Sequence, residues 1–244
     1  MDRDYYQKYY TLERTNWWFK VRSRIIYTRL AEVIKPTSTF KILNIGAATG
    51  ASSEMLSKFG SVTSSEYDEA TCTYAKQVLD IDMIHASITE LPFKDESFDL
   101  VCAFDVVEHV EDDLKSYEEM RRVCKKGGHI AVTVPAFMSL WSEHDVINHH
   151  YRRYVKSGIL ALTNKTGLKT IYSSYFNSVL FLPVLIIRVF KNLLPKKKEL
   201  KSDFELSTNT AVNAVLERIF GLEIGLLNVM RFPFGVSYFN ISQK

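Results

Sequence analysis

The chain has 244 residues, 46% of them hydrophobic and 24% charged, and carries a formal net charge of +3 at pH 7. That balance excludes a disordered chain, supplies enough apolar material for a sizeable core, and does not point to nucleic acid as a partner. Cys72, Cys102 and Cys124 form no CxxC pair, which excludes a disulfide framework and a cysteine zinc site. The opening Met1-Asp2-Arg3-Asp4 contains no apolar signal core, so a reducing, cytoplasmic setting is expected.

Residues 2–35 read as helical, with Trp17, Val21, Ile25 and Leu30 near helical spacing, until Pro36 ends the run. A strand over 40–45 stops at Gly46 and a helix over 51–59 follows. A second strand over 62–66 and a second helix over 69–79 continue the alternation, then strands over 83–86 and 98–104. A helix between Asp112 and Cys124 ends in Lys125-Lys126-Gly127-Gly128, cationic and then glycine-rich, as helix C-termini prefer. A fifth strand over 129–134 is stopped by Pro135, a helix over 156–166 leads to a sixth strand over 168–174, and 235–241 reads as a seventh at the sheet's edge. Strands separated by helical patterns predict a doubly wound α/β fold with a mostly parallel seven-stranded sheet covered on both faces. The expected organisation is an N-terminal helical cap (1–40), a nucleotide-binding Rossmann-like domain (41–176), a helical insertion or lid (177–234) and the final strand (235–244).

Asn44-Ile45-Gly46-Ala47-Ala48-Thr49-Gly50 joins the first strand to its helix, where glycine permits torsions and a close ligand approach that a side chain obstructs. Glu66 ends the second strand about 20 residues on, where an acid can bind both ribose hydroxyls of an adenosine ligand. A pyrophosphate cofactor favours a denser GxGxxG turn, and the Lys-Ser or Lys-Thr of a P-loop is absent.

These segments together resemble the class I S-adenosylmethionine (SAM)-dependent methyltransferases over roughly residues 15–175, most strongly over 41–135. The family's first motif is an acid-x-Gly-x-Gly-x-Gly pattern, from which this chain departs at Asn44 and Ala48. The resemblance implies that Asn44, Gly46, Ala48 and Gly50 form the turn under SAM, with Asn44 offering its carbonyl oxygen to the ammonium. It places Glu66 on the ribose, Tyr67 beside the adenine, Ser87 and Ile88 at the adenine edge, and Phe104 and Asp105 near the sugar and methionine portion. Trp17-Trp18-Phe19-Lys20-Val21-Arg22 resembles an entry helix of one branch, in which Arg22 either pairs with the SAM carboxylate or is a solvated arginine.

On the acceptor side, His109 follows the fourth strand as a candidate base, or as a packing histidine. The stretch 141–154 resembles a His-Asp, then His-x-Arg-Arg-Tyr, segment of the same branch, matched by His144, Asp145 and His150. Asp145 would orient a histidine and Arg152 or Arg153 would bind an anionic substrate; the plainer alternative is a hydrogen-bonded loop clamping the last helix. Asp105-x-x-Glu108-His109 resembles an element that holds a divalent ion in some methyltransferases, but mixed carboxylate and imidazole donors are not diagnostic, and no metal ligand is assigned.

The stretch 176–187 is uncharged and short of a membrane span, and Lys196-Lys197-Lys198 follows it. Region 176–198 therefore reads as a lid or dimer contact, with peripheral membrane contact as the alternative. The expected activity is methyl transfer from SAM, leaving S-adenosylhomocysteine, to an oxygen or nitrogen (carbon ranking lower) of a small molecule, glycan- or lipid-linked. The alternatives are a non-catalytic SAM-fold protein docking at a membrane and a nicotinamide-dependent oxidoreductase, which the sparse glycines disfavour.

Overall fold

In the computed structural model, which describes residues 3–35, 37, 39–193 and 210–244, seven strands form one sheet in the order β3-β2-β1-β4-β5-β7-β6. They are β1 (Lys41–Ile45), β2 (Ser61–Glu66), β3 (Ile84–His85), β4 (Phe98–Phe104), β5 (Cys124–Pro135), β6 (Lys169–Phe176) and β7 (Ser237–Gln243). The first five are parallel, and β7 pairs antiparallel with both β5 and β6. The sequence placed β7 at the edge. It lies inside instead, and β6 is the edge strand. Every residue of Ser237–Ser242 is accordingly buried, as a strand flanked on both sides and covered on both faces requires.

The helices are α1 (Arg3–Thr15), α2 (Trp17–Val33), α3 (Ala51–Leu56), α4 (Glu69–Leu79), α5 (Asp113–Val123), α6 (Glu143–Ile147), α7 (Lys156–Lys165), α8 (Phe181–Leu193) and α9 (Thr210–Val229). The N-terminal run expected as one helix is two. Asn16 caps α2 by accepting from the Trp18 amide at 2.9 Å, and Asn213 on α9 accepts from the Trp17 amide at 2.8 Å. Those acceptors satisfy amides that the start of a new helix leaves open.

Strand residues alternate between two cores, as the period of two dictates. Leu43, Val101, Ala103, Ile130 and Val132 face α5 and α7 through Tyr117, Met120 and Ile159. Ile42, Leu100, Cys102 and Ala131 face the other way, against Ile25 and Leu30 of α2 and Phe220 and Leu227 of α9. The leucine, isoleucine, valine, methionine and phenylalanine side chains among them contribute about 1.5–3 kcal/mol each when fully buried. Helix α9 thus packs in the same core as the N-terminal helices, and α2 carries a buried arginine, Arg29, that donates to the Leu227 carbonyl at 3.0 Å. No helix of the described residues is long and apolar enough to cross a membrane. Lys196, Lys197 and Lys198 lie outside the described residues.

Candidate functional site

A cleft of about 2470 Å³ opens over the carboxyl ends of β1, β2, β4 and β5. The sheet order reverses between β1 and β4, and open α/β sheets bind ligands in the crevice at that switch point. Single-ligand pockets usually measure about 300–1,000 Å³, so this cleft has room for two molecules.

One end is built from backbone. The turn after β1 runs through left-handed torsions at Gly46 (φ 67°), Ala48 (φ 49°) and Gly50 (φ 90°). A Cβ on Gly46 would stand 2.4 Å from Val106 Cγ2, and one on Gly50 would stand 2.8 Å from Ile81 Cδ1. Gly46 and Ala48 line the cleft; Gly50 does not, and its torsion and Ile81 account for the glycine. Glu66, at the end of β2, accepts from the Ala48 amide at 3.0 Å with one carboxylate oxygen and from the Tyr67 amide at 2.8 Å with the other. Tyr67, Ser87, Ile88, Phe104 and Asp105 line the same end. Ser87 Oγ accepts from the Thr89 amide at 3.2 Å.

Asn44 is held by its amide nitrogen. It is 1% exposed and does not line the cleft; its amide donates to Ser52 and Ser53 Oγ, each at 2.8 Å, beneath the turn. Its Oδ1, the atom expected to meet the ammonium, is buried with no hydrogen-bond partner among the described residues. Arg22 is not the solvated arginine of the second reading: it is buried, and it lines the cleft. Its guanidinium meets Asp105 at 2.6 Å and Thr133 Oγ1 at 3.2 Å, while its Nε has no hydrogen-bond partner among the described residues.

Residues that sequence reasoning missed close this end from above. Glu13 of α1 accepts from Thr49 Oγ1, and Arg14 donates to the Thr49 carbonyl at 3.2 Å and pairs with Glu54. Burial raises the Glu13 carboxyl above its usual range. Helix α1 therefore lies across the glycine turn, pinned also by Tyr6 donating to Asp68 at 3.0 Å. A charged pair on an N-terminal helix reads as a solvated face in sequence, and nothing in its spacing signals Thr49.

The other end is built from side chains. Glu108 and His109 form a short 3-10 turn after β4 (Val107–His109), and His150 arrives from the segment after α6. The rings of His109 and His150 stand edge to face with centroids 4.5 Å apart, and the His144 ring is 6.1 Å from that of His150. Asp145 organises the group. It is fully buried, accepts from His150 Nδ1 at 2.9 Å and from Arg153 Nε at 2.8 Å, and closes a capping box with the Ser142 amide at 2.8 Å. Burial alone would raise its carboxyl, but the His150 hydrogen bond and the Arg153 charge outweigh that and hold it well below the usual range. Burial and then the Asp105 charge push the Glu108 carboxyl well up. His109, although open to the cleft, is pulled down to about 4 by its enclosing walls and by His150.

The two arginines expected to meet an anionic substrate are engaged elsewhere. Arg153 donates to Asp145 and to the Ala136 carbonyl at 3.2 Å, and Arg152 pairs with Asp113 at 2.9 Å. Tyr154 donates to the same Asp113 at 2.9 Å. The segment thus clamps its surroundings with Arg152, Arg153 and Tyr154 while turning His150 to the cleft.

Sheet order and the glycine turn at the switch point define a Rossmann-like α/β protein of the methyltransferase type. A family model for a methyltransferase domain matches residues 43–132. The "Probable S-adenosylmethionine-dependent methyltransferase" of Mycolicibacterium smegmatis is 31% identical over 126 residues, covering 51% of this chain and 48% of that protein. An uncharacterised protein of Methanocaldococcus jannaschii is 30% identical over 175 residues, covering 68% of this chain and 73% of the other. The crystal structure of a SAM-dependent methyltransferase from Archaeoglobus fulgidus aligns with a TM-score of 0.57 at 18% identity, over 97% of this chain and 99% of that one. The chain spans about half the length of the mycobacterial curated relatives it matches. Residues 43–132 thus match a methyltransferase domain, and the chain shares the fold of a SAM-dependent methyltransferase.

Proposed function

We propose that this chain transfers the methyl group of SAM to an oxygen or nitrogen of a small molecule that has a polar reactive end and an apolar body. The supporting observation is the continuity of the cleft from the Glu66 end to the His150 end, with an apolar wall alongside. That wall comes from the insertion: Leu180, Pro183, Val184 and Ile187 at α8, and Leu216 and Ile224 of α9. An apolar body gains from burial there, which favours a lipid-linked acceptor over a free glycan.

The residues at the first end fit SAM. Glu66 would hold the ribose hydroxyls, Ile88 and Ser87 the adenine, the Gly46–Ala48 backbone the methionine portion, and the unpartnered Arg22 Nε its carboxylate. SAM supplies, when bound, an electrophilic methyl group on a sulfonium. The chain's own contribution is to hold the acceptor in line, where positioning carries much of the rate, and to receive its proton. Asp145 fixes His150 with its Nδ1 proton toward the carboxylate, which leaves Nε2 as the acceptor nitrogen. A base so placed contributes about 10²–10⁴-fold. His144 and His109 complete the polar end.

Calorimetric titration with SAM, S-adenosylhomocysteine and NAD tests the first half. Binding of the two adenosyl ligands and not of NAD is expected, and no response to either adenosyl ligand overturns the reading. Product formation on hydroxyl and amine acceptors graded in alkyl length tests the second half, with turnover per KM rising with chain length.

A further inference from the structure

Glu108 is fully buried, and neither of its carboxylate oxygens has a hydrogen-bond partner among the described residues. Buried carboxylates are ordinarily paired, hydrogen-bonded or bound to a metal. The backbone holds this one in place, since the Glu108 carbonyl accepts from the Tyr151 amide at 2.8 Å and so ties the turn after β4 to the segment carrying His150. One ligand atom from each of Glu108, His109 and His150 lies within 4.8 Å of the others. A four-coordinate ion with bonds of about 2.0–2.2 Å spaces its ligands roughly 3.3–3.6 Å apart, so the set needs only to contract around it.

Nearby groups are committed elsewhere. Asp105 is held by Arg22 and Thr133, and His144, perpendicular to the His150 ring, lies within reach of the Asn148 amide at 3.2 Å. His150 carries the feature expected of a histidine ligand, a carboxylate on its far nitrogen, and that carboxylate is itself fixed by Arg153 and Ser142.

We propose that Glu108, His109 and His150 bind one divalent transition-metal ion, with Asp145 orienting His150 from behind. One carboxylate and two imidazoles suit zinc, cobalt or manganese better than magnesium. All three residues line the cleft, so the ion keeps a position open to the acceptor. Its use rests on the methyl-transfer reading. A hydroxyl acceptor taking that position loses its proton to solvent, and its oxygen electron pair forms the bond to the methyl carbon. The carbon–sulfur bond breaks with its pair left on sulfur, giving the neutral thioether. The ion thereby does the work otherwise asked of a histidine base.

The test uses the full chain after chelator treatment, titrated with cobalt, zinc or magnesium chloride without SAM or acceptor. One cobalt or zinc ion per chain is expected, with magnesium far weaker and a visible absorption band for cobalt. His109→Ala, at a ring open to the cleft, should weaken cobalt binding about 100-fold or more with an unchanged melting curve, and Asp145→Asn about 10–100-fold. No metal uptake by the wild-type chain, or equal affinity in Glu108→Gln and His109→Ala, overturns the ion. S-adenosylhomocysteine is titrated into the same samples. Its binding without metal uptake removes the ion and leaves the methyltransferase reading, whereas metal uptake without its binding keeps the ion and removes that reading.

Discussion

The two ends of the cleft solve the same problem with different materials. At the proposed SAM end the positions are set by backbone: a turn through Gly46, Ala48 and Gly50, and an acid closing β2, all within 23 positions (Asn44 to Glu66). At the proposed acceptor end they are set by side chains from separate segments, with Glu108 and His109 after β4 and His150 after α6, joined through buried Asp145. A backbone site tolerates changes of side chain but not of torsion. A side-chain site fails when one buried partner is lost.

The largest expected effect tests that second statement. Asp145→Ala leaves Arg153 buried without its carboxylate, which costs roughly 3–5 kcal/mol of stability in urea unfolding. Wild-type stability in this variant would mean that the acceptor end is not held by its side-chain network. Next comes the backbone end. Gly46→Ala drives a Cβ into Val106 at a left-handed torsion, so S-adenosylhomocysteine affinity should fall about 100-fold, roughly 3 kcal/mol. Adding Val106→Ala should recover part of that loss, because it removes the clash but not the torsional cost. Full recovery would make the site one of side-chain packing and erase the contrast.

A smaller effect concerns pH. His109 has its folded pKa below the unfolded value of about 6.5, pushed to about 4 by its walls and by His150. Its contribution is therefore complete above pH 6.5 and is lost as the pH falls through about 4. Unfolding curves across that window should be steeper in pH for wild type than for His109→Gln. Because the ring is open to the cleft, the difference stays below about 1 kcal/mol. Smallest is Ala48→Gly. It relieves a φ of 49° but loosens the unfolded chain, for a net change of roughly a few tenths of a kcal/mol in melting experiments.

The same contrast decides what could be read before folding. The turn and Glu66 were visible because their spacing along the chain is their spacing in the site. Helix α4 spans residues 69–79 as read from the sequence, and Asp68 caps it by accepting from the Thr71 amide at 2.9 Å. A motif position does not say which way the Asn44 amide points, and only the fold gives its Nδ2 to Ser52 and Ser53. For Arg152 and Arg153 the sequence leaves an anion site and a clamping loop both open, since Asp113 and Asp145 as their partners become evident only when the segment folds back. Glu13 gave no signal at all, because its contact is Thr49 across the cleft.

By itself, the sequence determined the alternation of strands and helices, the parallel core of the sheet and the place of the nucleotide turn, because these rest on neighbouring residues, two-residue periods and local torsions. Only the tertiary structure decided that β7 enters between β5 and β6, that α1 closes over Thr49, and that Glu108 meets His150. Those outcomes depend on burial and on charges finding partners between segments far apart in the chain, which no local pattern encodes.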